Sequence, residues 1–287
     1  MNPSSCASAW VDILLVNYNG GAQILDTIAS IHRHSAAGSY RITVVDNGSS
    51  DESCDQIERL YPDTQVLRTG SNNGFGKGCN IGARHTQAPN ILLLNPDAQL
   101  LTNVIEIFQQ YLAGHAADPQ PILGGLSVDA QGKPSYAYER FPTPATLMLK
   151  ALGLGRLLEP SYAHREPHPV DYVSGSLLLI GRREFERLGG FDEAFFLYFE
   201  ETDLQYRARE QGIASIHVPA ARYLHESGGT FTDASFRGRC YSDGMKVYLD
   251  KRYGRRGRVL HRLYHLIHGA LQPVKTWVKK RLGPGGA

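Results

Sequence analysis

Cysteine is scarce in this chain. Cys6, Cys54, Cys79 and Cys240 stand far apart with no CxxC spacing, which excludes a zinc-finger arrangement or a disulfide framework and reads as a reduced, cytosolic protein. Long apolar runs are missing too. No segment approaches the roughly 18 apolar residues of a bilayer span, and residues 1–9 lack the basic start and apolar stretch of a signal peptide. Any membrane contact must therefore be peripheral. Lys and Arg are absent from NYNGG, the turn after the first strand-like run. A sugar nucleotidyltransferase would carry a glycine-rich, basic phosphate loop there. What is present suits a packed core: 42% of the 287 residues are apolar, enough for one large domain or one domain with an appendage.

The formal charge of +2 conceals an asymmetry. Residues 245–287 carry eleven Lys and Arg against the single acid Asp250, so this tail is +10 and residues 1–244 are −8. Leu260, Leu263, Ile267, Leu271, Val274 and Val278 fall on one helical face, with Pro273 expected to kink or divide the helix. Tyr264 and Trp277 beside Lys275, Lys279, Lys280 and Arg281 suit the headgroup region of an anionic bilayer. The competing arrangement packs this helix on the body's own acidic surface. Nucleic acid is disfavoured as a partner, because the main body is acidic.

Over the first 130 residues, β-rich runs at Ile13–Asn17, Arg41–Asp46, Gln65–Arg68 and Ile91–Asn95 alternate with helix-length segments. That is a βαβ series with a parallel sheet, and ligands gather at the carboxyl ends of such strands. Polar residues follow each strand: Asn17, Tyr18 and Asn19; Asp46 and Asn47; Asn72 and Asn73; Asn95 and Asp97. In VVDNGSSDE, Asn47-Gly48 is a turn and Ser49 with Glu52 matches a capping box. Asp46 is left over, to cap something or to accept a hydrogen bond from a pyrimidine N–H or a ribose hydroxyl. The glycines of NNGFGKGCNIG allow close approach of backbone to a ligand or a flexible entry into a helix over residues 77–85. They are no Rossmann fingerprint, since Ile81 stands where glycine or alanine is required. Asp97, fixed by Pro96 past a buried strand, is placed to hold a hard cation against a diphosphate.

The segment 172–209 crowds Glu200, Glu201 and Asp203 behind Phe196, Tyr198 and Phe199. Mutual repulsion and burial predict a raised pKa for at least one carboxyl, hence a catalytic base. The alternative is electrostatic housekeeping: acids in a first helical turn complement the macrodipole, and Asp203 with Arg207 is an i,i+4 pair.

Six motifs in order, LLVNYNGG, VVDNGSSD, NNGFGKGCNIG, LLLNPDA, SGSLLLIGRREFERLGGFDEAFFLYFEETDL and LHESGGTF, resemble glycosyltransferase family 2, inverting enzymes of GT-A fold, and especially its rhamnosyltransferase-like branch. The resemblance runs from about Asp12 to Phe231. It implies an α/β fold with a doubly wound, mostly parallel central sheet flanked by helices and a C-terminal helical extension. The catalytic domain would span 10–235, its nucleotide-sugar part about 10–130 and its acceptor part about 131–235, with a basic amphipathic extension over 236–287. Position by position, it implies that Asn17, Tyr18 and Asp46 hold the base and ribose, with Phe75, Asn80 and Asn95 near the donor. Asp97 matches the last acid of the DxD metal motif, and His225 a histidine that serves as a further metal ligand; the pair suits manganese or magnesium, manganese better by ligand softness. Glu201 matches the catalytic acid of the ED-type motif. The chain departs from the pattern twice, with Asn95 for the first Asp of DxD and Glu-Glu for Glu-Asp, which leaves Glu200 a rival base.

The implied reaction moves a sugar, L-rhamnose from dTDP-rhamnose by branch resemblance, to a glycan or lipid-linked acceptor at the inner face of the cytoplasmic membrane. The general base would deprotonate the acceptor hydroxyl as a nucleoside diphosphate leaves the opposite face, inverting the linkage. Gly175, Ser176 and the GGFDEAFF turn form the expected acceptor floor, with Asp203 beside it. A short helix between irregular, proline-rich connections is expected over 141–170. UDP-hexose or UDP-galactofuranose remain open as donors, as do a nucleotidyltransferase and an inactive nucleotide-binding partner protein. The sequence leaves oligomeric state open.

Overall fold

The computed structural model describes residues 9–225 and 233–282, with side chains described to residue 271. The nucleotide half alternates as expected: β1 (Val11–Asn17), α1 (Gly21–His34), β2 (Tyr40–Asp46), α2 (Ser53–Leu60), β3 (Gln65–Arg68), α3 (Phe75–Ala83), β4 (Asn90–Leu94), β5 (Ala98–Leu100) and α4 (Val104–Gly114). β1 and β4 are buried along their whole length, which is why both read as continuous apolar runs and sit centrally. After β6 (Ile122–Val128) come β7 (Tyr138–Glu139), α5 (Pro144–Ala151), a 3-10 turn at Gly155–Leu158, β8 (His168–Val170), β9 (Tyr172–Val173), β10 (Leu177–Gly181) and α6 (Arg182–Arg187). Then follow α7 (Glu200–Glu210), β11 (Ser215–His225), α8 (Ala234–Tyr253) and α9 (Arg255–Leu282). The helix expected between proline-rich connections is α5, opened by a Thr143–Thr146 capping box.

The main sheet runs β3-β2-β1-β4-β10-β6-β11-β5, with β8 on β11, while β7 and β9 form a separate pair. β3, β2, β1 and β4 are parallel, β10 is antiparallel to both neighbours, and β6 and β11 are parallel again. The antiparallel β5–β11 pair aligns Ala98 with His225. That register carries the consequence for the site, because Asp97 immediately precedes Ala98.

Several expectations change. The Ser49–Glu52 capping box does not form. α2 starts at Ser53 behind Glu52, and the Ser49 hydroxyl instead accepts from the Asn19 backbone at 3.0 Å. The glycines before and within α3 approach the protein's own chain: a Cβ on Gly74 (φ +79°) would lie 2.2 Å from the Phe196 carbonyl oxygen, and one on Gly78 2.8 Å from Val16. Pro273 does not divide the last helix, which runs unbroken to Leu282. The spacing also merged two faces of α9, since Leu260 and Tyr264 pack inward while Leu263 is 43% exposed. The competing arrangement on the body is thus realised by one face of α9, against α8 and α5. Val274, Lys275, Trp277, Val278, Lys279, Lys280 and Arg281 have side chains outside the described set, and LHESGGTF beyond His225 lies outside the described residues.

Candidate active site

A cavity of about 410 Å³ opens at the carboxyl ends of the central strands. Tyr18, Phe75, Asn95, Asp97, Gly175, Ser176, Glu200, Glu201 and His225 all line it, so nine of the expected site residues, scattered over two hundred positions, face one space. Four do not. Asn17 is fully buried; its amide nitrogen donates to the Ser53 hydroxyl at 2.9 Å and its oxygen accepts from the Gly20 N–H at 3.1 Å, fastening β1 to α2. Asp46 accepts from the Ser49 N–H at 2.9 Å beneath the turn. Asn80 lies behind the cavity wall, pairing with both backbone groups of Phe191 at 2.9 Å.

Asp203 is the fourth, and here helical geometry corrects the expectation. At about 100° per residue, positions 201 and 203 lie roughly 200° apart around α7. Asp203 therefore points away from the cavity, fully buried, to meet Arg207 at 2.8 Å, Lys251 at 2.8 Å and Arg252 at 3.1 Å. The i,i+4 pair is real, and two cations from α8 complete it, so Asp203 docks α8 on α7 instead of touching an acceptor.

Glu200 and Glu201 are aimed by a strained entry to α7. Tyr198 and Phe199 both adopt left-handed backbone, φ +70° and +69°, which non-glycine residues hold only when their surroundings enforce it. Here Phe199 packs against Tyr241 and Tyr248 of α8, and Gly244 lets the Tyr198 carbonyl come so close that a Cβ would sit 2.5 Å away. One carboxylate oxygen of each glutamate is buried with no hydrogen-bond partner. Burial, then the neighbouring Glu201, holds the Glu200 carboxyl well above the usual range. Burial also pushes Glu201 up, to about 7, with Glu139 adding to it and backbone N–H groups opposing it. Desolvation thus outweighs the favourable helix N-terminus. Gly175 lies under Glu201, where a Cβ would touch the glutamate at 3.4 Å.

At the other side of the cavity, His225 Nε2 is 3.4 Å from Asp97 Oδ1 and 3.3 Å from Asn95 Nδ2. The β5–β11 register brings these three together. Asn95 is anchored in turn, its N–H donating to the Ser176 carbonyl at 3.0 Å, while the Ser176 hydroxyl is bound to Tyr223 at 2.7 Å. Ser176 thus contributes backbone shape, with its hydroxyl committed to the core. Among the described residues no group of three or more His, Cys, Asp or Glu side chains converges as a metal cluster.

Several further residues line the cavity without having been assigned a role from the sequence. Asn47 holds the Gly74 carbonyl at 2.9 Å, and its own oxygen is buried without a partner. On the acceptor side Tyr172 donates to Glu139 at 2.9 Å and Tyr136 reaches Tyr172 at 3.2 Å, while Lys150 of α5 pairs with Glu139. From α8, Arg237 and Tyr241 complete the wall. Tyr136, Glu139, Lys150 and Tyr172 fall within residues 131–235, the part expected to serve the acceptor, and Asn47 follows the second strand at the expected rim, whereas Arg237 and Tyr241 carried no signal.

Fold and cavity define a glycosyltransferase of GT-A type. The model of the family described as Glycosyl transferase family 2 matches residues 12–147. Among curated proteins, the chain is 30% identical over 246 residues to the low-salt glycan biosynthesis hexosyltransferase Agl10 of Haloferax volcanii, covering 84% of this chain and 73% of that one. It is 28% identical over 242 residues to the N-acetylglucosaminyl-diphospho-decaprenol L-rhamnosyltransferase of Mycobacterium tuberculosis, covering 74% and 75%. A solved structure of GalNAc-T7 with UDP, GalNAc and Mn2+ aligns over 96% of this chain with a TM-score of 0.62 at 16% identity. The chain spans about half, 54%, of that protein. This chain belongs to glycosyltransferase family 2.

Proposed function

We propose that the enzyme transfers a sugar with inversion from a nucleoside diphosphate donor, dTDP-L-rhamnose before UDP-hexoses or UDP-galactofuranose, to a hydroxyl of a lipid-linked or cell-surface glycan. The observation that carries the reading is that a carboxyl with a raised pKa, Glu201, shares a cavity with the Asp97–His225 pair. Tyr18, Asn47, Asn72 and Phe75 line the end of the cavity next to β1 and β2 and would receive the nucleoside; Asp46 and Asn17 would act beneath them by shaping the turn. Glu201 removes the acceptor proton, and Gly175 leaves room for that sugar. Glu200 lies deeper, where burial and the neighbouring Glu201 hold its carboxyl well above the usual range.

A carboxylate oxygen and an imidazole nitrogen 3.4 Å apart fit a divalent cation, Mn2+ before Mg2+, with diphosphate oxygens needed to complete its coordination. When bound, the ion would neutralise charge on the leaving diphosphate. Asn95 Nδ2 lies 3.3 Å from that same His225 nitrogen, so a bound cation would take the place of this contact.

The relative named as an N-acetylglucosaminyl-diphospho-decaprenol L-rhamnosyltransferase supports the lipid-linked reading and rhamnose as the sugar. So does the surface. Leu152, Leu154 and Leu157 are 47–74% exposed, as are Val259, Leu263 and Leu266 of the neighbouring α9 at 43–68%, within a tail of charge +10. We place the protein peripherally on the inner face of the cytoplasmic membrane by this patch; no helix of the described residues is long and apolar enough to cross a bilayer. Because Arg237 and Tyr241 line the cavity, we draw the boundary of the catalytic domain after α8.

Thermal-shift screening of nucleotide sugars with and without Mn2+, followed by transfer assays, tests the reading. The expected result is metal-dependent stabilisation by dTDP-rhamnose and transfer to a prenyl-diphosphate glycan. Stabilisation by no nucleotide sugar, with no transfer, would overturn it.

A further inference from the structure

One cation in the cavity wall has no counter-charge among the described residues. Lys150, the other lysine or arginine lining the cavity, is engaged by Glu139. Arg237, on the first turn of α8, lines the same space; its Nε is buried with no hydrogen-bond partner, and no described carboxylate pairs with it. Its neighbour Arg239 is accounted for, stacking over Phe236 at 6.0 Å and donating to the Ser235 hydroxyl at 3.2 Å.

The placement of Arg237 is set by packing. Phe236 meets Phe196 edge-on at 6.2 Å, and the Phe196 carbonyl receives the Phe75 N–H at 2.9 Å. The start of α8 is thereby tied to the nucleoside end of the cavity. One turn further along, Tyr241 lines the same cavity as Glu201. Arg237 therefore stands between the two halves of the site. Arg237 is half-buried, with only its Nε closed off from water, and its planar fork of five N–H donors matches phosphate oxygens in a bidentate manner.

The geometry points to Arg237 as a diphosphate-binding residue of this cavity. The inference rests on the reading that the site takes a nucleoside diphosphate donor. A diphosphate reaches the cavity from two sources, the sugar donor or a diphosphate-linked acceptor, and Arg237 acts on the phosphoryl oxygens of one of them.

Arg237→Gln and Arg237→Lys in the full chain separate these sources. Binding of dTDP and UDP is compared with that of dTMP and UMP by calorimetry with Mn2+ present. Transfer is measured to a short prenyl-diphosphate sugar and to an uncharged alkyl glycoside of the same sugar. If the donor is held, Arg237→Gln weakens diphosphate binding roughly 10- to 100-fold, as loss of charge-assisted hydrogen bonds predicts, and leaves the monophosphates unchanged. If the acceptor is held, nucleotide binding stays within two-fold and kcat/KM falls by a similar factor for the prenyl-diphosphate sugar alone. Arg237→Lys restores part of either effect. The proposal is overturned if Arg237→Gln changes neither preference, or if it weakens all ligands equally while lowering Tm. Failure of the underlying reading looks different: the wild type itself would bind no nucleoside diphosphate.

Discussion

Glu200 and Glu201 are adjacent in sequence, yet their burial assigns them different work. Glu200 is 3% exposed and Glu201 only half-buried against the cavity, so the second is the one an acceptor hydroxyl can reach. Glu201→Gln is expected to lower kcat by roughly 10²- to 10⁴-fold, the usual worth of a general base, with calorimetry showing nucleoside diphosphate affinity within two-fold of wild type; full activity would transfer the role to Glu200. A base works ionised, so with a pKa raised to about 7 the wild-type rate should fall as pH drops through neutrality, and a flat rate from pH 8 to 6 would contradict the assignment. Stability moves the other way for Glu200. Between its unfolded pKa, about 4.3, and its raised folded value the native state binds the extra proton, so stability declines as pH rises across that interval. Glu200→Gln removes this cost, and its Tm relative to wild type should be a few degrees more favourable at pH 8 than at pH 5, by calorimetry.

At the scale of elements, the site is a meeting of ends. β5 and β11 pair antiparallel so that Asp97 and His225 become neighbours 128 positions apart in the chain, and α8 supports the left-handed turn that aims the glutamates. The Gly244 contact is the most sensitive part of that support. Gly244→Val would force side-chain atoms onto the Tyr198 carbonyl, where even a Cβ sits at 2.5 Å. The expected cost is about 1–3 kcal/mol in urea unfolding, together with a lowered kcat; an unchanged enzyme would mean that α8 does not hold the turn. Much of this level was legible in advance. β2 and β4 matched to within one residue and β1 to within two, because buried central strands repeat one chemical character along their length; the edge strand β3 matched residue for residue because turn residues bound its short run on both sides. The start of α3 was misplaced by two residues, since Phe75 and Gly76 are held helical by contact with the Phe191–Glu200 segment, more than a hundred positions away.

Over the whole molecule, the acidic body and basic tail meet through α8, whose Met245, Tyr248 and Leu249 are buried in one cluster with Phe195 and Phe199. The tail therefore starts inside the core, and a test of membrane binding must spare α8. Removing residues 272–287, which hold four of the eleven tail cations, is expected to weaken co-sedimentation with anionic vesicles several-fold and to reduce its salt sensitivity, since each basic residue near such a surface contributes about 1 kcal/mol. Undiminished binding would sink the membrane assignment. The order of motifs along the chain already specified the α/β class, the family and which loops share a rim, because strand burial and turn chemistry are written in neighbouring residues. Which side chains enter the cavity was decided only by folding. Asp203 turns to three cations, Asn17 and Asn80 turn to backbone groups, and Arg237 turns inward from a helix beyond the matched motifs; each choice depends on partners brought together from distant positions, and on desolvation that no local pattern records.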